Sequence, residues 1–234
     1  MATKKIELAG IGEVTLVKLA RSRSLRLSVS PNGIRVSMPR WTPFSAGSSF
    51  ALSHAQWIRE ELAKQNTELL EAGQRIGKLH YLRFEQVLSG QTITNRVTRS
   101  EVIVRMKHGE QTSDLAVQTR ARTAIIRALK KEAELLLPAR LDAQAQKYDL
   151  KYSSIGVKLL KRRWGSCSSH QAITFNLYLM ELPWEYIDYV IKHELAHTKQ
   201  MNHGPDFWKL LTSMEPRARD ISRSLKRYQP IIGN

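Results

Sequence analysis

The chain has 234 residues, 42% hydrophobic and 25% charged, with a single cysteine and a formal net charge of +16. This composition is ordinary for a soluble globular protein, one cysteine excludes an intrachain disulfide, and no apolar run approaches the ~20 residues that a membrane-spanning helix needs. The opening stretch Met1–Glu7 lacks the apolar core of a signal peptide, so the expected location is the cytoplasm.

The first third reads as β-structure. Leu25–Val29 alternates apolar and polar residues, Pro31-Asn32-Gly33 is a turn signal, and Ile34–Met38 alternates again, which predicts a hairpin. Val14–Leu19 is expected to join its sheet. Residues 39–47 break the pattern, and Phe50, His54, Trp57, Ile58 and Leu62 then fall at helical spacing, with His54 expected as a packed core histidine. Tyr81–Phe84 and Glu101–Arg105 read as strands, with His80 and His108 as ordinary residues near their ends. From Leu115 to Tyr148 the period turns helical, and Pro138 is expected to kink or restart that helix. Residues 1–110 are thus expected to form a β-rich N-terminal lobe with one helix, and 111–234 a helical linker followed by a second domain.

Ser154–Leu160 and Ala172–Leu179 read as two further strands, with Trp164–His170 as the turn between them. Pro183 then precedes an amphipathic helix over Trp184–Ile191 that continues into His193-Glu194-Leu195-Ala196-His197. Gly204-Pro205-Asp206 reads as a cap and new helix start, so His203 falls in the connection between two helices. Pro216 separates that helix from a final basic one.

Two histidines four apart share a helix face, about 6 Å apart at Cβ, so both imidazoles can reach one metal ion. Glu194 points about a quarter-turn away, where it can hold a water at the metal rather than ligate it. His203 would be the third ligand. Three such ligands and one open position suit a catalytic zinc, and the pattern indicates a metal-assisted hydrolase.

Four strings together carry a family resemblance: Lys161–Ser168, Ile173–Leu177, Ile187–His197 and Asn202–Trp208. The chain resembles the YgjP-like metal-dependent hydrolases, zincins related to the SprT-like proteases. The resemblance implies an α+β fold whose C-terminal, zincin-like lobe packs the motif helix on a small antiparallel sheet. It implies zinc on His193, His197 and His203, with Glu194 as general base. It also implies that the strand carrying Thr174, Asn176 and Tyr178 lines the cleft. Gln200 stands where metzincins carry glycine.

Two functional classes remain open. The first is a zinc metallopeptidase whose edge strand, containing Asn176, pairs with an extended peptide. The second is a metal-dependent hydrolase of anionic phosphate substrates such as nucleoside triphosphates, with Arg162 and Arg163 holding phosphates. Asp206 is expected either to orient a ligand histidine or to serve as an acid in the first turn of its helix. Cys167 is expected to be a small buried residue. The basic residues cluster at Arg21, Arg23 and Arg26, at Lys158, Lys161, Arg162 and Arg163, and at Arg217, Arg219, Arg223, Lys226 and Arg227. Such clusters point to a polyanionic partner, nucleic acid among the candidates.

Overall fold

A computed structural model of the chain describes residues 2–8, 11–30, 33–65, 69–87, 94–228 and 230. The described residues belong to two compact units, one drawn from residues 2–74 and 81–125, the other from 75–80 and 126–230. The architecture is α+β, as the sequence indicates.

In the first unit, alternation of apolar and polar residues produces a four-stranded sheet. Its strands β1 (Thr3–Leu8), β2 (Gly12–Leu19), β3 (Arg26–Ser30) and β4 (Gly33–Pro39) lie in the order β1-β2-β4-β3. β3 and β4 form the expected antiparallel hairpin, from Arg26 opposite Ser37 to Ser30 opposite Gly33. The turn residues Pro31 and Asn32 lie outside the described residues. β2 joins the sheet as expected and runs parallel to β4, so the chain bypasses the place beside β2 to build β3 and then returns to fill it.

One face of this sheet carries Val14, Leu16, Ile34, Val36 and Met38, all buried. Helices α1 (Phe44–Ser53) and α2 (Ala55–Gln65) cover it with Ala51 and Ile58. α1 approaches the sheet closely at Gly47, where a Cβ would lie 2.1 Å from the Met38 methyl carbon and would displace that side chain. The single helix expected here is therefore two. They meet at His54, whose φ of −107° and ψ of 18° leave the helical region. His54 is exposed rather than packed, and its Nδ1 lies 2.9 Å from the Phe50 carbonyl at the end of α1.

After the two-residue β5 (Arg75–Ile76) come β6 (His80–Gln86), β7 (Arg96–Val97) and β8 (Glu101–Met106). β6 runs parallel to β8, and β7 antiparallel to it, so both strand runs expected in this region exist. His108 is exposed beyond the end of β8.

The helix α3 (Leu115–Lys147) passes through Pro138 as one element and does not restart there. Proline removes the bond to the carbonyl four residues back, and that residue, Glu134, is exposed, so solvent can take its place. Within the second unit, α3 buries Ala128, Leu129, Ala133, Leu137 and Leu141. Glu132, also buried, accepts the amide protons of Lys78 (2.6 Å) and Leu79 (2.9 Å) and pairs with His80 Nδ1. His80 is thus part of a buried polar clasp and not an ordinary strand-end residue.

The remaining strands, β9 (Ser154–Lys158), β10 (Gly165–Cys167) and β11 (Ala172–Asn176), form a sheet ordered β10-β11-β9. This sheet is mixed: β10 is antiparallel to β11, and β9 is parallel to it. The segment expected as a plain turn, Trp164–His170, contains β10. A 3-10 turn over Leu177–Glu181 leads to α4 (Trp184–His197), α5 (Pro205–Met214) and α6 (Ala218–Leu225). The start of α4 is fixed to α3 by Arg140, which makes a two-pronged ion pair with Asp188 and lies 4.4 Å over the Trp184 ring. No helix among the described residues is long and apolar enough to cross a membrane.

Candidate functional site

α4 buries Ile187, Val190, Ile191 and Leu195, a helical stripe that sets the rotation of the whole helix. With that stripe inward, His193 and His197 emerge together on the adjacent face. Thr198 caps the helix, and the chain turns through residues 199–203 before Gly204 and Pro205 start α5. That turn carries His203 back over α4. The Nε2 atoms of His197 and His203 come within 3.2 and 3.1 Å of His193 Nε2. The ligand atoms of the three residues all lie within 4.8 Å of one another, which is the spacing for holding one metal ion.

The protonation of the cluster agrees with that use. His197 Nδ1 lies 3.0 Å from the Gln200 carbonyl, which can only accept, so Nδ1 carries the proton and Nε2 keeps its lone pair facing His193. Burial, together with His197 and His203, pushes His193 down to about 3, and burial also lowers His197. Ligand histidines must be neutral, and these two are neutral at physiological pH without any cost of deprotonation. Phe207, fully buried on α5, stacks on His197 at 4.6 Å and meets the His193 and His203 rings edge-on at 5.0 and 4.6 Å. One apolar ring therefore walls all three imidazoles.

Glu194 is 4% exposed, and its Oε2 is buried without a hydrogen-bond partner among the described residues. Burial raises its carboxyl to about 8, against the opposing pull of the Arg163 charge. Its carboxyl lies under β10, where a Cβ on Gly165 would sit 2.6 Å from Oε1 and 2.8 Å from Cγ. Only glycine leaves Glu194 its place. Three convergent imidazoles are a donor set that fits a divalent metal, and the orphaned oxygen of Glu194, the residue after His193, is a group that can hold a water.

Residues 23–228 match the family described as YgjP-like, metallopeptidase domain. The chain belongs to this family. Metallopeptidases are metal-dependent hydrolases, and the histidine cluster is where this member can hold its metal. Among solved structures the chain is similar to the metallopeptidase zymogen of Pyrococcus abyssi abylysin, at 24% identity over 40% of this chain and 96% of that one, with a TM-score of 0.37. It is also similar to the metallopeptidase zymogen of Methanocaldococcus jannaschii jannalysin, at 24% identity over 38% and 92%, with a TM-score of 0.34. No curated protein matches the sequence.

The other residues singled out in the sequence lie in different settings. Asn176, expected on an edge strand, sits at the end of the central strand β11 and is 4% exposed. Its amide donates to the Leu160 and Arg163 carbonyls at 2.8 and 3.0 Å, and its oxygen accepts the Tyr178 amide proton at 3.3 Å. It clasps the 160–163 loop. Tyr178 is buried in the 3-10 turn, at 3% exposure. Arg162 and Arg163 are exposed, and Arg163 acts on Glu194 through its charge. Asp206 is an exposed acid in the first turn of α5 and forms no hydrogen bond to a histidine. Cys167 is half-buried on β10, and burial pushes its thiol up, away from ligand chemistry.

Three contributors escape a reading of the sequence: the Gln200 carbonyl, the Phe207 wall and the Gly165 gap. The first is a backbone atom, which residue type cannot reveal. Phe207 carries the same helical signal as any core aromatic. Gly165 has a visible signal, a glycine inside a strand, which marks close approach of another group.

Proposed function

We propose that the chain is a zinc-dependent peptidase in which His193, His197 and His203 hold the ion and Glu194 is the general base. The observation that carries this reading is the convergence of three Nε2 atoms, with Glu194, the residue after His193, holding a buried carboxyl oxygen that has no hydrogen-bond partner among the described residues. When bound, zinc supplies a Lewis acid that polarises a carbonyl and makes water nucleophilic near neutral pH.

The chain's own groups do the rest. The Gln200 carbonyl keeps His197 in the tautomer whose Nε2 faces the cluster. Gly165 holds Glu194 in position, and a cation at the histidines favours its carboxylate form. Glu194 takes a proton from the attacking water. Hydroxide adds to the scissile carbonyl carbon, the C–N bond breaks, and Glu194 returns the proton to the departing amine. The substrate aligns along β10, an end strand of its sheet whose far side pairs with no strand among the described residues. An extended peptide added there pairs with the strand that packs against the Glu194 carboxyl.

A second reading, hydrolysis of anionic phosphate substrates, draws support from the exposed Arg162 and from Arg163, whose charge reaches Glu194. The deciding experiment measures zinc content and mass-resolved products for wild type and Glu194→Gln, with an unstructured polypeptide and a nucleoside triphosphate as parallel substrates. Glu194→Gln should retain zinc while peptide turnover falls by about 10²–10⁴-fold. Glu194-dependent phosphate release without peptide cleavage would overturn the peptidase reading.

A further inference from the structure

The sheet of the first unit has a second face, opposite the helices, and it is basic. Alternation along the strands places Arg26 and Ser28 of β3, Arg35 and Ser37 of β4, and Thr15 and the buried Val17 of β2 on that face. Register sets Arg26 opposite Ser37 and Ser28 opposite Arg35. At the sheet's end, Leu19 pairs with Pro39, so the turns that leave β2 and β4 lie side by side. Each is closed by its own hydrogen bond, Ser22 N–H to the Leu19 carbonyl and Thr42 N–H to the Pro39 carbonyl. These turns and the start of β3 carry Arg21, Arg23, Arg40 and Trp41.

All five arginines are exposed, and none has an ion-pair partner among the described residues. No Asp or Glu occurs between Glu13 and Glu60. The acids on this face, Glu7 and Glu13, lie at the far end of β2, where Glu13 is paired with Lys5 at 2.7 Å. The basic residues of the last helix differ: Arg217 pairs with Glu185, Arg223 with Asp220, and Arg219 covers the Trp208 ring. Trp41, meanwhile, is 75% exposed, more than any other large hydrophobic side chain among the described residues.

We propose that this face binds single-stranded nucleic acid, with Arg21, Arg23, Arg26, Arg35 and Arg40 on phosphates and Trp41 stacked on a base. Guanidinium forks match phosphate oxygens, and a bare aromatic beside them is the arrangement that holds unpaired bases. A duplex buries its base faces in its own stack and cannot offer one to Trp41. An acidic polypeptide satisfies the arginines and leaves the ring without a partner.

The test is fluorescence anisotropy of the full chain with a labelled 20-nucleotide oligothymidylate, read across a salt series. Duplex DNA of the same length and poly-glutamate are the comparison ligands. Five phosphate contacts predict a log–log salt slope of about −3.5, falling to about −1.4 for Arg21→Ala/Arg23→Ala/Arg26→Ala. Trp41→Ala should weaken the oligothymidylate about tenfold with the slope unchanged. The charge-matched Arg219→Ala/Arg223→Ala/Lys226→Ala should keep at least half the wild-type affinity. The proposal is overturned if both triple variants lose affinity equally, if Trp41→Ala binds like wild type, or if duplex or poly-glutamate binds as tightly as the single strand. The readout is binding alone, so it stands or falls apart from the peptidase reading.

Discussion

Substituting Gly165 with alanine tests whether β10 sets the position of the Glu194 carboxyl. Gly165 has no positive φ, so its backbone accepts alanine without strain, and the only obstacle is the space that Glu194 occupies. The new Cβ would meet Glu194 Oε1 at 2.6 Å, Cγ at 2.8 Å and Cδ at 2.9 Å. An ordinary carbon–oxygen contact is about 3.4 Å, so the carboxyl must retreat by about 0.8 Å. A misplacement near 1 Å costs about 10²-fold in rate, so kcat should fall by roughly that factor. The three atoms nearest the new Cβ all belong to Glu194 and none to a histidine, so zinc content should match wild type. The assay is kcat and KM on a polypeptide substrate with metal analysis on the same preparations, and with Gly165→Ala repeated in the Glu194→Gln background. If Gly165 acts only by holding Glu194, the second substitution costs nothing further there. Unchanged kcat for Gly165→Ala, or an equal loss in both backgrounds, would refute the reasoning.

Three other consequences follow from the same geometry. Phe207→Ala removes the wall shared by the three imidazoles; it should cost about 3–5 kcal/mol in urea unfolding and weaken zinc retention during dialysis against a chelator. Asn176→Ala strands the carbonyls of Leu160 and Arg163 and should destabilise the fold by about 1–3 kcal/mol, which a shift in denaturation midpoint at constant slope would show. Burial raises the Glu215 carboxyl, but Lys192, 2.8 Å away, and Arg217 outweigh it and hold the group below the usual carboxylate range. A depressed folded pKa contributes stability that is present above the unfolded value near 4.5 and lost as pH falls through the folded one. Wild type should therefore exceed Glu215→Gln in Tm at pH 7 by a margin that shrinks below pH 4, and a margin independent of pH would refute the assignment.

The parts of this protein legible in its sequence are those written in local spacing. Histidines four residues apart share a helix face wherever that helix packs, and Pro205 after Gly204 starts a helix wherever it lies. The histidine cluster and the β3–β4 hairpin were therefore visible from residue order alone. The charge was equally legible, since a stretch from Val14 to Arg59 without one acid needs no structure to recognise. What depends on which elements lie side by side was not. Asn176 has the alternation of an edge strand, yet β9 and β10 enclose β11, and a side chain in a central strand is spent on its neighbours' backbone. His54 fits an apolar stripe but faces solvent because the helix breaks at that residue, and His80 looks ordinary until α3 brings Glu132 against it from 52 residues away. Gly165 is the clearest case. The sequence shows that a side chain is missing there, and only the packing of β10 over α4 shows that Glu194 needs the space, because a steric requirement belongs to two surfaces in contact and not to either strand of sequence alone.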